Sequence, residues 1–157
     1  MLLNQELLSE ISRIAKSNNK KIVFTNGVFD ILHVGHVSYL EKARQLGDIL
    51  VLGLNSDASV KKLKGDSRPI NNEIDRANVL LGLKSVDYVC IFDEETPLNL
   101  IKSVNPSVLV KGADYSIENI IGADFVHKNG GEVKTITFIE GKSTTSTIAK
   151  MGLVNND

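Results

Sequence analysis

Apolar side chains at Leu3, Leu7, Leu8, Ile11 and Ile14 recur at helical spacing and predict an amphipathic helix over 4–17, broken by Ser17-Asn18-Asn19. The pattern then turns to β-formers: 21–25 (KIVFT) predicts a first strand. Residues 35–46 read as a helix closed by Gly47 in the C′ position. The run 49–54 (ILVLGL) is nearly all apolar, as expected of a strand covered on both faces. A polar loop is expected over 55–72, followed by a helix over 73–83, a strand over 87–92 and a helix over 97–104. Pro97 suits the first turn of that helix, with Thr96 as its cap. Strands over 107–111 and 133–137 flank a short helical stretch near 117–129, and a last helix starts near Thr144.

Strands alternate with helices throughout, which predicts an open parallel sheet with helices on both faces. No repeat, low-complexity segment or linker divides the chain, so a single domain over 1–157 is expected. In such sheets ligands sit beyond the carboxyl ends of the strands, where the strand order reverses. Functional residues are therefore expected just after strands one, two, four and five.

Composition narrows the classes. Of the 157 residues, 42% are hydrophobic and 24% charged, the balance of a globular domain rather than a disordered chain. The net charge of −1 gives no global field toward nucleic acid or anionic lipid, so an anion site must be built locally. Aromatics are 5% and scattered, which argues against a base-stacking surface. One cysteine, Cys90 within the apolar YVCIF, excludes an internal disulfide and reads as a buried thiol. The start of the sequence shows no secretory pattern, and no stretch approaches the roughly 20 apolar residues needed to span a bilayer. A cytoplasmic protein, with no membrane insertion and no nucleic-acid partner, is the expectation.

The segment after strand one, NGVFDILHVGH, places His33 and His36 around the start of a helix. A helix N-terminus offers unpaired N–H groups and a positive dipole end. Gly27 and Gly35 remove side chains where backbone must approach a ligand. Together these suggest a phosphate cradle with two imidazole donors for developing charge. A pair of surface or packed histidines is the plainer alternative. Zinc is weaker still: even with Asp30 nearby, further ligands are missing. After strand two, Lys61, Lys62, Lys64 and Arg68 form a basic stretch, read either as a solvated face or as a mobile segment closing over a substrate. Arg76 is placed to reach the same anion or to pair with Asp75 or Glu73. After strand four, Lys111 and Asp114 flank Gly112; Asp114 is a candidate for a sugar hydroxyl or an ordinary turn aspartate. After strand five, Gly141 and Lys142 precede Ser143, Thr144, Thr145 and Ser146, more hydroxyls than a helix cap needs, and suggest a second phosphate site. The P-loop pattern is absent, as is the glycine fingerprint of dinucleotide folds, and no nucleophile–base pairing suggests itself.

With HVGH and GKSTTS in view, the chain resembles the HxGH nucleotidyltransferases. Within them it is most similar to the heptose 1-phosphate adenylyltransferases, the nucleotidyltransferase half of ADP-heptose synthases and its stand-alone form. The matching stretches are TNGVFDILHVGHVSYLEKARQLGD, NSDASVKKLKGDSRPI, FDEETP, LVKGADY, and GGEV followed by EGKSTT. The resemblance implies a Rossmann-like three-layer α/β/α fold with a mainly parallel five-stranded sheet. It implies transfer of AMP from ATP to a heptose 1-phosphate, giving ADP-heptose and pyrophosphate by direct in-line attack, for lipopolysaccharide or another surface glycan. It assigns catalysis to His33, His36 and a loop lysine, Lys61 or Lys64. It assigns nucleotide and phosphate contacts to Asn26, Gly27, Phe29, Gly35, Arg76, Lys111, Asp114, Ser143, Thr144 and Thr145. A Mg²⁺ ion carried on ATP is expected, with no resident metal site. A separate heptose kinase would supply the substrate, and a homodimer is left open by the apolar helix faces at the termini.

The sequence departs from the family pattern in two places. Related cytidylyltransferases commonly carry an arginine just before the GxST stretch, where Ile139 and Glu140 stand here. Val28 stands where heptose enzymes often have cysteine, a packing change. The first departure favours ATP over CTP. The competing readings are a cytidylyltransferase acting on glycerol 3-phosphate or a similar alcohol phosphate, and a module that holds ATP without turnover.

Overall fold

The computed structural model describes residues 1–113, 116–137 and 144–154. Its elements are α1 (Gln5–Ser17), β1 (Ile22–Gly27), α2 (Val34–Arg44), β2 (Ile49–Asn55), α3 (Asp57–Lys64), α4 (Glu73–Leu81), β3 (Tyr88–Phe92), α5 (Leu98–Val104), β4 (Val108–Gly112), a 3₁₀ turn (Ile117–Asn119), α6 (Ala123–Lys128), β5 (Glu132–Ile136) and α7 (Thr144–Val154). The five strands form one sheet in the order β3-β2-β1-β4-β5. Every pairing is parallel. The expected Rossmann-like α/β architecture is therefore present. The chain works outward from β1 to β3, then crosses back to lay β4 on the other side of β1. The strand order reverses between β1 and β4, and a crevice opens there at the carboxyl ends.

Strand alternation sorts the core into two layers. Phe24, Val51, Cys90 and Leu109 pack with Leu8 of α1 and Leu100, Ile101 and Val104 of α5. Their neighbours Val23, Leu50, Leu52, Leu54, Val89, Val108 and Val110 face the opposite way, onto Leu40 and Ala43 of α2 and Ala77 and Leu80 of α4. Each central strand thus contributes apolar residues to both faces, which is why 49–54 carries no polar alternation. Between sheet and helix, the buried hydroxyls of Thr25 and Tyr39 lie 2.8 Å apart and pin α2 to β1. Cys90 is buried, and burial together with the charge of Glu94 pushes its thiol up to about 11.

Three local expectations are corrected. The stretch after β2 is not an open loop: Ser56 caps a helix by accepting from the Ser59 N–H at 3.1 Å, and fully buried Val60 anchors it. Gly47 is not a left-handed helix terminator, since α2 ends at Arg44 with Gln45 as its cap residue. It is needed for close approach, because a Cβ there would sit 2.7 Å from Val23 and 2.8 Å from the Lys21 carbonyl. Helix α5 begins one residue later than expected, with Pro97 rather than Thr96 at the cap position. At its far end Asn105 takes the left-handed conformation that asparagine tolerates (φ 45°).

Leu52, fully buried on the central pair of strands, sets a test of this core. Leu52→Ala should cost about 2–5 kcal/mol in urea unfolding. Val79→Ala, on the exposed side of α4, should stay within about 0.5 kcal/mol.

Candidate functional site

Helices α1, α3 and α4 begin with side-chain caps from Asn4, Ser56 and Asn72. Helix α2 does not. Its cap residue is His33, in extended conformation (φ −142°), with no side-chain capping bond to the first turn. The first-turn amides of α2 are thus left without a side-chain acceptor at the β1/β4 crevice, and the dipole end adds attraction for an anion. The same start brings the two imidazoles together: the rings of His33 and His36 stack at 3.9 Å, 22° from parallel.

Phe29 fixes this arrangement. It is a bulky residue at φ 47°, a region that normally costs about 1–3 kcal/mol. Its buried ring meets His36 edge-on at 5.1 Å. Gly27 makes room, since a Cβ there would lie 2.8 Å from the Phe29 ring. His36 is partly buried, and desolvation, the nearby His33 and the charge of Lys64 lower its pKa from 6.5 to about 4, although a hydrogen bond with the Ile31 carbonyl pulls the other way. It is therefore neutral near pH 7.

These residues border a cavity of about 520 Å³ beyond the strand ends. Of the residues singled out from sequence, Asn26, Gly27, Phe29, His36, Lys64, Lys111 and Thr144 line it. Thr144, the first residue of α7, donates to the Ile31 carbonyl at 3.2 Å and ties α7 to the turn before α2. His33 is not among the lining residues; it touches the site through its stack on His36. Gly35 is buried in the first turn of α2. The two lysines differ in position: Lys64, at the end of α3, lines the cavity, and Lys61, one turn earlier, is exposed and does not. Asp114 and Ser143 lie outside the described residues, as does the side chain of Thr145.

Arg76 is a correction. It is buried (2% exposed), does not line the cavity and pairs with neither Glu73 nor Asp75. Its guanidinium donates to the Val28 carbonyl (2.7 Å), the Asn71 carbonyl (3.0 Å) and Asp57 Oδ1 (2.7 Å). It clamps the β1–α2 turn, the segment before α4 and the start of α3. A position read as a phosphate contact is a brace beneath the site.

Asp30 is a second brace that sequence reasoning passed over except as a metal ligand. Its buried carboxylate accepts from Arg68 Nε at 2.6 Å and from the backbone N–H groups of Ile70 and Asn71 at 2.9 Å. Burial alone would raise its pKa, but these N–H groups and the Arg68 charge outweigh it and hold the carboxyl below the usual range. The stretch read as a mobile closing segment is instead stapled down, with Arg68 lining the cavity. The available signal was an acid inside the otherwise apolar VFDIL. Asn55 and Glu95, which also line the cavity, were missed too. Asn55 was detectable as a polar residue ending an apolar strand.

Among the described residues, no group of three or more His, Cys, Asp or Glu side chains is placed to hold a metal ion. Nor is any helix long and apolar enough to cross a membrane.

The pH dependence of folding provides a test. Between pH 4 and 6.5 the unfolded chain binds a proton at His36 that the folded chain excludes, so stability is lost as pH falls through this window. His36→Gln should flatten the fall in Tm between pH 6.5 and 4 relative to the parent; parallel curves would contradict the buried neutral state.

Residues 24–142 match the family profile described as cytidylyltransferase-like. The chain is 55% identical over 148 residues to the bifunctional protein HldE of Geobacter metallireducens, covering 94% of this chain and 30% of that protein. It is 59% identical over 152 residues to HldE of Campylobacter concisus, covering 97% of this chain and 31% of the relative. It thus spans about a third of the length of these relatives. A solved lipopolysaccharide core biosynthesis protein from Thermoplasma volcanium superposes with TM-score 0.60 at 28% identity, over 78% of this chain and 99% of the other. The pantoate-β-alanine ligase of Francisella tularensis, at 15% identity and TM-score 0.64, covers all of this chain and 80% of its own, and shares the fold.

Proposed function

We propose that this chain, which belongs to the cytidylyltransferase-like family of nucleotidyltransferases, transfers AMP from ATP to a heptose 1-phosphate, releasing pyrophosphate and forming ADP-heptose. The observation that carries the reading is the His33–His36 stack on the uncapped start of α2, with Lys64, Lys111 and Thr144 around the same cavity. The resemblance carried by HVGH, LKGDSRP and KGADY supports heptose as the acceptor, and the likeness to a lipopolysaccharide core biosynthesis protein supports a surface glycan as the destination.

In this reading a sugar phosphate oxygen attacks the α-phosphorus of ATP, and the bond from that phosphorus to the bridging oxygen of the β-phosphate breaks. The nucleophile is already an anion, so no protein base is needed. What the protein supplies is alignment and compensation of charge that grows on the bridging and non-bridging oxygens. His36 and the α2 amides face that charge. Lys64 meets the sugar phosphate or the α-phosphate, while Lys111 and Thr144 hold the triphosphate on the β4 side. A neutral His36 meets the phosphates as a hydrogen-bond donor through a ring N–H. Magnesium carried on the nucleotide would neutralise part of the phosphate charge when bound. The donor set fits an ion carried on the nucleotide: of the cavity carboxylates among the described residues, Asp30 is committed to Arg68 and Ile70, which leaves Glu95.

Pyrophosphate release should be measured with magnesium, crossing ATP and CTP against both anomers of heptose 1-phosphate and against glycerol 3-phosphate. Release with ATP and one heptose anomer supports the proposal. Release with CTP and glycerol 3-phosphate would replace the substrates and keep the chemistry. ATP binding without release for any acceptor would mark a binding module. His36→Ala should lower turnover at least about a hundredfold with Tm nearly unchanged. Lys64→Ala should damage kcat/KM far more than Lys61→Ala; equal effects would remove Lys64 from the site.

A further inference from the structure

The Arg68 guanidinium is used at one nitrogen. Its Nε–H donates to Asp30 Oδ2 at 2.6 Å, and its side chain makes no other hydrogen bond or ion pair among the described residues. The remaining N–H donors, on Nη1 and Nη2, are therefore uncommitted. Neither nitrogen is enclosed. The side chain is 12% exposed and lines the cavity, so these donors open onto the cavity. Covering most of an arginine while leaving its donors unpaired is unfavourable unless a ligand pairs them.

The group is also held still. Asp30 is fully buried, and its carboxylate accepts from the Ile70 and Asn71 N–H groups at 2.9 Å as well as from Arg68. The guanidinium plane is thus set before a ligand arrives, with Nε given to Asp30 and the Nη1–Nη2 end left over. Such a fork matches a group with oxygens side by side, and a phosphate is one. Lys64 meets a phosphate as a point charge, whereas Arg68 also fixes its orientation. Position chooses between the phosphates of the nucleotide and that of the acceptor. Adjacent residues of the turn before α2 carry two different partners: Asp30 holds Arg68, and the Ile31 carbonyl accepts from Thr144. Thr144 starts the helix after β5 and Lys111 lies in β4, whereas Lys64 and Arg68 belong to the connection from β2 to β3. Strands β2 and β4 flank β1 on opposite sides.

We infer that Arg68 grips the phosphate of the acceptor through Nη1 and Nη2, with Asp30 as its positioning residue; this rests on the nucleotidyltransferase reading above. In-line displacement puts the attacking and leaving oxygens on opposite sides of the α-phosphorus. With the leaving pyrophosphate toward Lys111 and Thr144, attack comes from the side of Lys64 and Arg68. Two oxygens of the acceptor phosphate meet the fork, and the third is turned toward the α-phosphorus. Arg68 thereby aims the nucleophile and makes a phosphate a requirement of the acceptor.

The first test uses the parent protein. Phenylglyoxal labelling is mapped by mass spectrometry over Arg13, Arg44, Arg68 and Arg76. Exposed Arg13 is the internal reference, and buried Arg76 should resist the reagent. Arg68 should be labelled in the free protein and protected about tenfold or more by heptose 1-phosphate with α,β-methylene-ATP present. The nucleotide alone should change its labelling by less than about twofold. Protection by the nucleotide alone would put Arg68 on the triphosphate and overturn the inference. No labelling in the free protein, or no protection by the sugar phosphate, would overturn it too. The second test splits the kinetic constants. Arg68→Lys keeps a charge without the fork, and should raise KM for heptose 1-phosphate about tenfold or more while KM for ATP stays within about twofold. Asp30→Asn should move the same KM in the same direction. Equal changes in both KM values, or none, would overturn the inference; should either variant fail to fold, the labelling pattern decides. Pyrophosphate release by the parent tests the underlying reading separately. Release without protection of Arg68 overturns the inference alone, and no release with any acceptor removes both. Release with CTP and glycerol 3-phosphate removes only the heptose assignment, and protection by that alcohol phosphate then decides the role of Arg68.

Discussion

The site depends on a helix that starts without a cap at the point where the sheet reverses its strand order. A helix start without a capping side chain leaves first-turn amides to backbone carbonyls, water or a ligand; here the His36 N–H bonds the His33 carbonyl at 2.9 Å and Val34 is exposed. This start is placed at the only edge of a parallel sheet where a ligand can reach between two diverging strands, β1 and β4. His33 takes the cap position yet provides no capping bond, and its imidazole is stacked with that of His36.

Such a start has to be held by something other than itself. Two buried charges do this from beneath. Asp30 gathers Arg68 and the amides of Ile70 and Asn71, and Arg76 gathers the carbonyls of Val28 and Asn71 and the carboxylate of Asp57. Buried ions contribute little net stability, since desolvation consumes much of their attraction. Their directional bonds do fix geometry. Each joins segments that no helix or strand ladder connects, and together they position the β1–α2 turn against α3. The strained backbone of Phe29 lies in that turn, which is where a surrounding framework is most needed.

Charge distribution then gives the cavity a direction. His36, Lys64 and Arg68 border it from α2, α3 and the segment after α3, Lys111 from the end of β4, and Asn55 and Glu95 from the ends of β2 and β3. His36 is neutral there, its pKa lowered by burial and by the charge of His33, and it packs against the Phe29 and His33 rings.

The sequence by itself determined the sheet, its parallel sense, and the strand ends at which polar residues gather. Those follow from local periodicity: an apolar run such as 49–54 can only be a doubly covered strand, and HVGH must fall where a strand hands over to a helix. It also indicated which side chains could bind phosphate, though not which of them would face the cavity. Only the tertiary structure decided that Lys64 lines it and Lys61 does not, that Arg76 braces the site from below, and that Asp30 serves Arg68. The Asp30–Arg68 bond spans 38 residues and the Arg76–Val28 bond 48, separations that leave no periodic trace in the chain. A cationic side chain looks the same in sequence whether it meets a ligand, a buried carboxylate or water; burial and the partners brought by distant strands make the distinction.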